Sequence, residues 1–511
     1  MRTWTSYDDV PYLSAPNPEC HPDRLFTLGR LFGLTTPPVA TARVLELGCS
    51  DGGNLLAAAL NLPEAQFMGV DLSRRQVEIG RRAAEALGCR NLRLDHAGLT
   101  DVDASWGLFD YIICRGVYSW VPAVVQDKIL EIFSTNLADR GVAYLDYNTY
   151  PGWHVLEPVR DLMRFHTAGL DEPREAIGQA MAVADLLANF IQPDNEDYVR
   201  LMQREIGRIA GIARDTEGAT YIYHEYLEAE NRPVYFSHLA WAAERHGLQY
   251  LGEAVYADML THGFPQDLAE IMADLGRDLI RLEQYMDFLR NRRFRRSLFC
   301  RQGPVLDRRV HPEDLTGLLV SCTKGVTREV IGQALAEGSP AKTALTCLLE
   351  VRPRAVPLGS LRDEVDRRLG RAPTETGDLD LARDLIGLYS VNAVQFHSWQ
   401  ADFTLVPGRR PRLCDLARYQ LSQGQRWLSS QCHRPALLPG PLLDLARLLD
   451  GARDKEELAA FIHRGMQEGA ITIQVPADQP APTPPELSPA EIENLLNQML
   501  ARIASEGLLV E

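Results

Sequence analysis

The feature that most constrains this chain is a glycine-rich turn that joins a short apolar strand to a helix, in the stretch VLELGCSDGGN at residues 44–54. Small residues in such a turn let backbone amides approach a ligand at the N-terminus of the next helix. That helix, NLLAAALNL, has to end before Pro63, because proline cannot continue a helix. The stretch therefore predicts a strand, a ligand-binding turn and a helix.

A second strand and a second helix continue this pattern. The strand QFMGVDL ends in Asp71, at the distance where nucleotide-binding folds place a carboxylate on ribose hydroxyls. Ser73 and Gln76 have the spacing of a helical capping box, and Gly88 is a natural end for that helix. The order predicted is strand, turn, helix, strand, helix.

Glu46 distinguishes between the ligands that such a turn binds. It lies two residues before Gly48, where it would repel a pyrophosphate and attract a cationic amino-acid group. Together, Glu46 and Asp71 favour S-adenosylmethionine over NAD or FAD. The plainer alternative is that the glycines only form a tight turn.

These strings resemble the motifs of a known family. LELGCSDGGN and GVDLS are similar to the first two motifs of class I S-adenosylmethionine-dependent methyltransferases, with Ser50 where many members have glycine. NLRLDHAGLTDVD and FDYIICRGVYSWVP are similar to the third and fourth strands of that family with their adjoining loops. The resemblance implies S-adenosyl-L-methionine as the cofactor. The residues expected to contact it are Glu46, Gly48, Ser50, Gly52, Asn54, Asp71, Leu72, Gly98, Leu99, Arg115 and Tyr12.

Two positions in this set have alternatives. The acid that contacts the adenine amino group in the family falls on Gly98, so either backbone groups and apolar packing hold adenine or Asp95 does. The resemblance also implies an N-terminal segment that folds over the cofactor. Either Tyr12 or His21 is expected there, and His21 could equally be a packing residue at the start of a helix.

Longer strings narrow the resemblance to one group. YDDVPYLSAPNPECHPDRL, GVYSWVP, YNTYPGWH, YHEYLEAENRPVYFSHLAWAAERHGLQYLGEA and EQYMDFLRNRRFRRSLFC resemble bacterial methyltransferases that carry a methyltransferase regulatory domain. This group includes the rickettsial protein-lysine methyltransferases that act on an outer-membrane protein, and the resemblance covers residues 5–302. It implies methyl transfer to lysine of a protein. The alternatives are a small-molecule N- or O-methyltransferase and a non-catalytic regulator that binds the cofactor.

The expected fold is α/β, with a Rossmann-like class I methyltransferase sheet, a helical insertion and a mostly helical, winged-helix-like C-terminal region. We predict a cofactor-binding core at residues 1–156, a helical lid or dimer arm at 157–220, a regulatory segment at 221–303 and the winged-helix-like region at 304–511. Only five strands occur before the insertion. Segments 246–254 and 294–301 are therefore expected to complete the sheet.

The catalytic candidates follow the predicted fourth and fifth strands, where ligands bind in doubly wound sheets. Asn148 offers a neutral carbonyl oxygen to orient an amine. Tyr118, Trp120 and Trp153 could pack against a sulfonium or a methylated ammonium by cation-π attraction, although each could also be an ordinary rim residue. His154 is a proton acceptor only if the nucleophile is a hydroxyl.

Charge and cysteine usage narrow the choice of partners. A formal net charge of -16 argues against nucleic-acid binding, which needs clustered cations. The arginine run RNRRFRRSLFCR either pairs with the chain's own carboxylates or docks an acidic protein substrate. Nine scattered cysteines without a CxxC pair indicate reduced thiols and no metal site. With no apolar stretch long enough for a membrane span, we expect a cytoplasmic protein, with a homodimer through the inserted helices as a further option.

Overall fold

The computed structural model describes residues 6–10, 14–190, 196–213, 220–261, 263–275, 278–372, 374, 377–468 and 488–511. Seven strands form one sheet in the order β3-β2-β1-β4-β5-β7-β6. All neighbours are parallel except that β7 runs antiparallel to β5 and β6. The strands are β1 Arg43–Leu47, β2 Gln66–Asp71, β3 Leu92–His96, β4 Phe109–Cys114, β5 Leu137–Asn148, β6 Leu248–Glu253 and β7 Phe294–Arg301.

Helices cover both faces of this sheet. Successive side chains of a strand point to opposite faces, so Val44 of β1 packs in one apolar cluster and Leu45 in another. The helices before the insertion are α1 Ser6–Asp9, α2 Pro22–Leu31, α3 Gly53–Asn61, α4 Arg74–Ala86 and α5 Ala123–Asn136. Burial on both faces explains why β1 and β4 read as nearly continuous apolar runs.

Both segments that the sequence predicts as the last two strands lie in this sheet, as β6 and β7. Strand β7 pairs with β5 so that Phe294 is opposite Asn148. The regulatory segment also contributes α9 Phe236–Arg245, α10 Gln266–Leu275 and α11 Leu279–Arg290. The last two strands of the sheet thus begin 100 or more positions after the end of β5.

Between β5 and α9 the described residues include a π-helical turn at Tyr223–Leu227 and, before it, the helices α6 Glu157–His166, α7 Pro173–Phe190 and α8 Glu196–Ala213. They share an apolar cluster that includes Met163, Ala180 and Ile206. Phe165 of α6 stays exposed. The helical insertion is present, and its role as a lid or dimer arm stays a prediction.

The C-terminal region contains two small sheets. The first has the order β10-β8-β9, with β8 Leu319–Cys322, β9 Val356–Pro357 and β10 Val394–His397. Its helices are α12 Arg328–Ala334, α13 Pro340–Glu350, α14 Leu358–Leu369 and α15 Gly377–Ser390. The stretch AVQFHSW at residues 393–399 contains β10. The stretch DFTLV at residues 402–406 contains no strand, so it does not form a second strand of a wing beside β10.

The second sheet is a hairpin of β11 Trp427–Ser429 and β12 Pro435–Leu437. It packs with α16 Asp415–Ser422, α17 Gly440–Ala446, α18 Lys455–Gln467 and α19 Pro489–Ala504. The last helix begins with a capping box, in which the side chains of Ser488 and Glu491 each accept a hydrogen bond from the other residue's backbone amide. In the part of the chain that the structure describes, no helix is both long and apolar enough to span a membrane.

Candidate functional site

The glycine turn after β1 requires backbone conformations that favour glycine. Gly48 and Gly52 have φ values of 68° and 70°, and a Cβ on Gly48 would lie 2.3 Å from Val117 Cγ2. Gly53 starts α3, and a Cβ there would lie 2.0 Å from the backbone oxygen of Ser14. The turn is therefore tight on both sides, and its amides lie close to neighbouring backbone.

Asp71, at the end of β2, holds this turn in place. Its Oδ2 accepts a hydrogen bond from the amide of Ser50 at 2.8 Å, and its Oδ1 accepts one from the amide of Ser73 at 2.8 Å. Because the backbone amide of Ser73 already donates to Asp71, the side chain of Gln76 does not complete the capping box with Ser73. The Gln76 side chain contacts the hydroxyl of Ser50 instead. Burial raises the pKa of Asp71.

Glu46 lies beneath the turn and is only 3% exposed. Its Oε1 accepts a hydrogen bond from Asn54 Nδ2 at 3.1 Å, whereas no donor among the described residues reaches its Oε2. Burial raises the pKa of Glu46 to about 8, and the nearby charge of Arg115 opposes this rise. A buried carboxylate oxygen without a donor is costly, so this atom suits a cationic ligand group.

An N-terminal segment covers the turn. The amide of Ser14 donates to Asp51 Oδ1 at 3.1 Å, and the amide of Asn17 donates to Asn54 Oδ1 at 3.0 Å. Arg115, just after β4, donates to the backbone oxygen of Ala15 at 2.8 Å. The segment ahead of the first strand is thus hydrogen-bonded to the glycine turn and to the loop after β4.

The two N-terminal candidates have different outcomes. Tyr12 lies outside the described residues. His21 caps α2, because its Nδ1 accepts a hydrogen bond from the amide of Asp23 at 3.1 Å, and its ring stacks on Trp399 of the C-terminal region. Of the two options, the helix-start packing position is the one observed for His21.

The adenine end of the expected pocket is the edge formed by β2 and β3. Leu72 follows β2 and is exposed, and Leu99 is half-buried after β3. The amide of Gly98 donates to Asp101 Oδ2 at 2.9 Å. Asp95 forms ion pairs with Arg93 at 2.7 Å and with an arginine of α4. This geometry favours apolar packing by the leucines, and the adenine contacts themselves stay predictions.

Asn148 ends β5 and is 5% exposed. Its backbone amide donates to Ser119 Oγ at 2.8 Å, and its side-chain Nδ2 lies 3.4 Å from Asn231 Oδ1 in the regulatory segment. This arrangement directs the carbonyl end, Oδ1, away from Asn231. The side chain can therefore accept a hydrogen bond from a substrate.

Asp146 is a site residue that sequence reasoning missed. Its Oδ1 accepts a hydrogen bond from the amide of Gly116 at 2.5 Å, and its Oδ2 accepts one from the hydroxyl of Tyr144 at 3.2 Å. Burial raises the pKa of Asp146 to about 6. The available signal was strand alternation, which places residues 144, 146 and 148 on one face of β5.

An aromatic and acidic rim lies just past β5. The ring of Tyr150 stacks on His154 at 4.1 Å and lies 5.3 Å from the ring of Tyr235. Glu157 accepts hydrogen bonds from the hydroxyl of Tyr150 at 2.6 Å and from His154 Nδ1 at 3.1 Å. Because His154 and Glu157 are partly exposed, the rim opens to solvent.

The predicted aromatic residues lie at different depths. Tyr118 packs against Tyr147 in the interior, with ring centroids 6.1 Å apart, and Trp153 is fully buried. Trp120 is half-buried. Tyr118 and Trp153 are therefore not accessible, whereas Tyr235 is a partly exposed aromatic residue of the rim. Sequence reasoning missed Tyr235 because it lies far from β5 in the chain.

The arginine run of β7 is engaged by the protein's own acids. Arg293 contacts both oxygens of Glu205, and Arg296 pairs with Glu19 at 2.7 Å. Arg295 is buried among the carboxylates of Glu253, Glu283 and Asp287. The self-pairing alternative therefore describes this segment. Within the described ranges, no group of three or more histidine, cysteine or acidic side chains could hold a metal ion.

Three family models match this chain. Residues 44–141 match a methyltransferase domain, residues 218–301 match a predicted methyltransferase regulatory domain, and residues 409–508 match the C-terminal winged helix domain of PKMT. The first match contains the glycine turn, Asp71 and Arg115. The second contains β6, β7 and Tyr235.

Individual proteins and structures are also similar. One uncharacterized protein of Rickettsia prowazekii (strain Madrid E) is 38% identical over 60% of this chain, which spans 55% of that protein, about half its length. Another is 37% identical over 47% of this chain and 94% of its own length. The structure of PKMT2 from Rickettsia typhi is 26% identical, covers 98% of this chain and 100% of its own, and has a TM-score of 0.83. Its complex with AdoHcy gives a TM-score of 0.82.

Proposed function

Because this chain belongs to the class I S-adenosylmethionine-dependent methyltransferases that carry a methyltransferase regulatory domain, we propose that it transfers methyl groups to lysine side chains of a protein substrate. The observation that carries the cofactor assignment is the buried Oε2 atom of Glu46 beside the glycine turn, which no donor among the described residues reaches. An amino-acid ammonium would supply that donor and the opposite charge.

The residues present fit this cofactor. Glu46 would hold the amino group, and Asp71 would accept hydrogen bonds from the ribose hydroxyls while it keeps the turn closed. Leu72 and Leu99 would pack on adenine. When bound, S-adenosylmethionine would supply an electrophilic methyl group on its sulfonium; a neutral amine would take this methyl in line, with the thioether S-adenosylhomocysteine as the leaving group.

The chain's own residues have to align a lysine and remove its proton. A lysine side chain with a pKa of about 10.4 must lose about three units of proton affinity to be neutral near pH 7, which costs about 4 kcal/mol. Desolvation between Tyr150 and Tyr235 lowers that pKa, and Asn148 Oδ1 accepts a hydrogen bond from the amine without adding charge. Glu157, at the solvent edge, gives the proton a route out.

A protein substrate is favoured over a small molecule by the openness of the rim. His154 and Glu157 keep about half and two fifths of their side-chain surface exposed, at 52% and 39%. A peptide side chain can enter such a rim while its backbone remains outside. The likeness to PKMT2, whose name denotes a protein-lysine methyltransferase, supports the same substrate class.

We place the reaction in the cytoplasm. All nine cysteines are free thiols and seven of them are buried, as expected for a protein kept in a reducing compartment. A protein acceptor, with no role for nucleic acid, is consistent with the net charge of -16.

The test is transfer of radiolabelled methyl from S-adenosylmethionine into a lysate of the source cells, separated into protein and small-molecule fractions. We expect label in protein, and methylated lysine after acid hydrolysis of that protein. Asp71→Ala should abolish labelling, because it removes the acceptor that holds the turn and the ribose.

Asp139→Ala is the matched control, since its side chain is 98% exposed near the start of β5. It should label protein as the wild type does. Label found only in the small-molecule fraction would show that the methyl acceptor is a metabolite and not a protein lysine. No label in either fraction, with cofactor bound, would leave the non-catalytic regulator as the better description.

A further inference from the structure

His433 connects the C-terminal region to the glycine turn. It lies in the turn between β11 and β12, has a φ of 54° and is 4% exposed. Its Nε2 is 2.9 Å from Oδ1 of Asn54, a residue 379 positions earlier in the chain. The last domain therefore contacts the same side chain that holds Glu46.

The hydrogen bonds of Asn54 determine which atom donates. Its Nδ2 donates to Glu46 Oε1 at 3.1 Å, and its Oδ1 accepts from the amide of Asn17 at 3.0 Å. Rotating the amide by half a turn would set its NH₂ group against the amide of Asn17, so this orientation is fixed. His433 must then donate through Nε2.

His433 is a neutral imidazole in this position. Burial, followed by the charges of His21 and Arg115, holds its pKa well below its usual range. The single ring proton stays on Nε2 because, among the described residues, Nε2 faces an acceptor and Nδ1 has none. The contact with Asn54 is thus the same throughout the neutral pH range.

We propose that His433 is a positioning residue for the cofactor. It fixes the orientation of the Asn54 side-chain amide by donating to its Oδ1. Asn54 in turn donates to one carboxylate oxygen of Glu46, which leaves the other oxygen facing the amino-acid end of the ligand. The winged-helix domain thereby forms part of the cofactor site, and cofactor affinity depends on its docking. This inference rests on the cofactor assignment given above.

The experiment compares two ligands in four proteins by calorimetry. S-adenosylhomocysteine carries the amino-acid end, and 5′-methylthioadenosine lacks it. His433→Ala should raise the Kd for S-adenosylhomocysteine about tenfold, in the range of one lost buried hydrogen bond, and leave the Kd for 5′-methylthioadenosine unchanged. His433→Gln should restore binding to within about threefold, because a glutamine amide can donate from the same place.

Both variants place a residue other than glycine in the same left-handed backbone at residue 433, so backbone strain is common to both, whereas His433→Gln keeps a donor and much of the side-chain volume. Arg447→Ala removes an exposed ion pair with Asp444 at 2.6 Å within the same domain and should change neither affinity. Equal weakening of both ligands by His433→Ala would show a merely structural role and overturn the proposal. An unchanged Kd for S-adenosylhomocysteine would overturn it while leaving cofactor binding intact. Failure of the wild type to bind either ligand would refute the cofactor assignment itself.

Discussion

Cofactor affinity should depend on pH through Glu46. Burial raises the pKa of this carboxyl from an ordinary 4.5 to about 8, so the unliganded protein holds it mostly protonated near pH 7. A cationic amino group pairs with the ionised form. Binding therefore releases a proton, and the Kd for S-adenosylhomocysteine should fall as the pH rises towards 8.

The magnitude follows from the ionised fraction. Below a pKa of about 8, each pH unit changes that fraction about tenfold, so the Kd should fall about fifteenfold between about pH 6.5 and 8. Asp51 and Asp146, whose burial raises each pKa to about 6, are mostly ionised across this window and add little slope. For the unliganded protein the raised pKa has the opposite consequence, since the free energy of unfolding falls as the pH rises from 4.5 towards 8.

Calorimetry in buffers of different ionisation enthalpy measures both the Kd and the number of protons released. About one proton should leave on binding near pH 7, and Glu46→Gln should abolish both the release and the slope. The ligand 5′-methylthioadenosine, which lacks the amine, should bind with a flat profile. A wild-type Kd that is constant from pH 6.5 to 8 would refute the assignment of this carboxylate to the amino group.

Three further outcomes are expected. Asn148→Ala should lower the methyl-transfer rate about a hundredfold through misalignment of the amine, with an unchanged Kd for S-adenosylhomocysteine; a parallel loss of both would place Asn148 in cofactor binding. Gly80→Ala puts a Cβ 2.2 Å from the backbone oxygen of Asp51 and should lower the free energy of unfolding by about 1–3 kcal/mol, seen as a lower Tm; an unchanged Tm would mean that the turn can move. Burial raises the pKa of Glu283 to about 7, so Glu283→Gln, which keeps an acceptor for Arg295, should lessen the loss of stability between about pH 4.5 and 7 in urea unfolding by the share that Glu283 contributes; an equal slope in both proteins would contradict this.

Local patterns were sufficient for the first half of the fold. The glycine turn, the acid at the end of β2 and the capping residue Ser73 lie within 30 residues of one another, so spacing alone predicts their arrangement. One local detail differs, since Gln76 contacts Ser50 where a capping box was expected. Asp71 is the cause, because it already occupies the amide that Gln76 would have bonded.

The rest of the site depends on contacts that no local pattern marks. Tyr235 reaches the rim across the helical insertion, and His433 reaches Asn54 from 379 residues away. Asp146 could have been found from the alternation of β5, but its burial depends on the covering N-terminal segment and on Tyr144. Such positions follow from tertiary packing, which sequence periodicity does not encode.

The late arrival of β7 has a consequence for biosynthesis. When β5 has left the ribosome it forms an open sheet edge with unpaired backbone groups, and its partner begins only at residue 294. At about 5–20 residues per second, the nascent chain carries this edge for roughly seven to thirty seconds before β7 can pair with it. The intervening helices fold in that interval and stand beside the unfinished edge. A chain that stops before residue 294 would keep the edge permanently, so self-association is its expected fate.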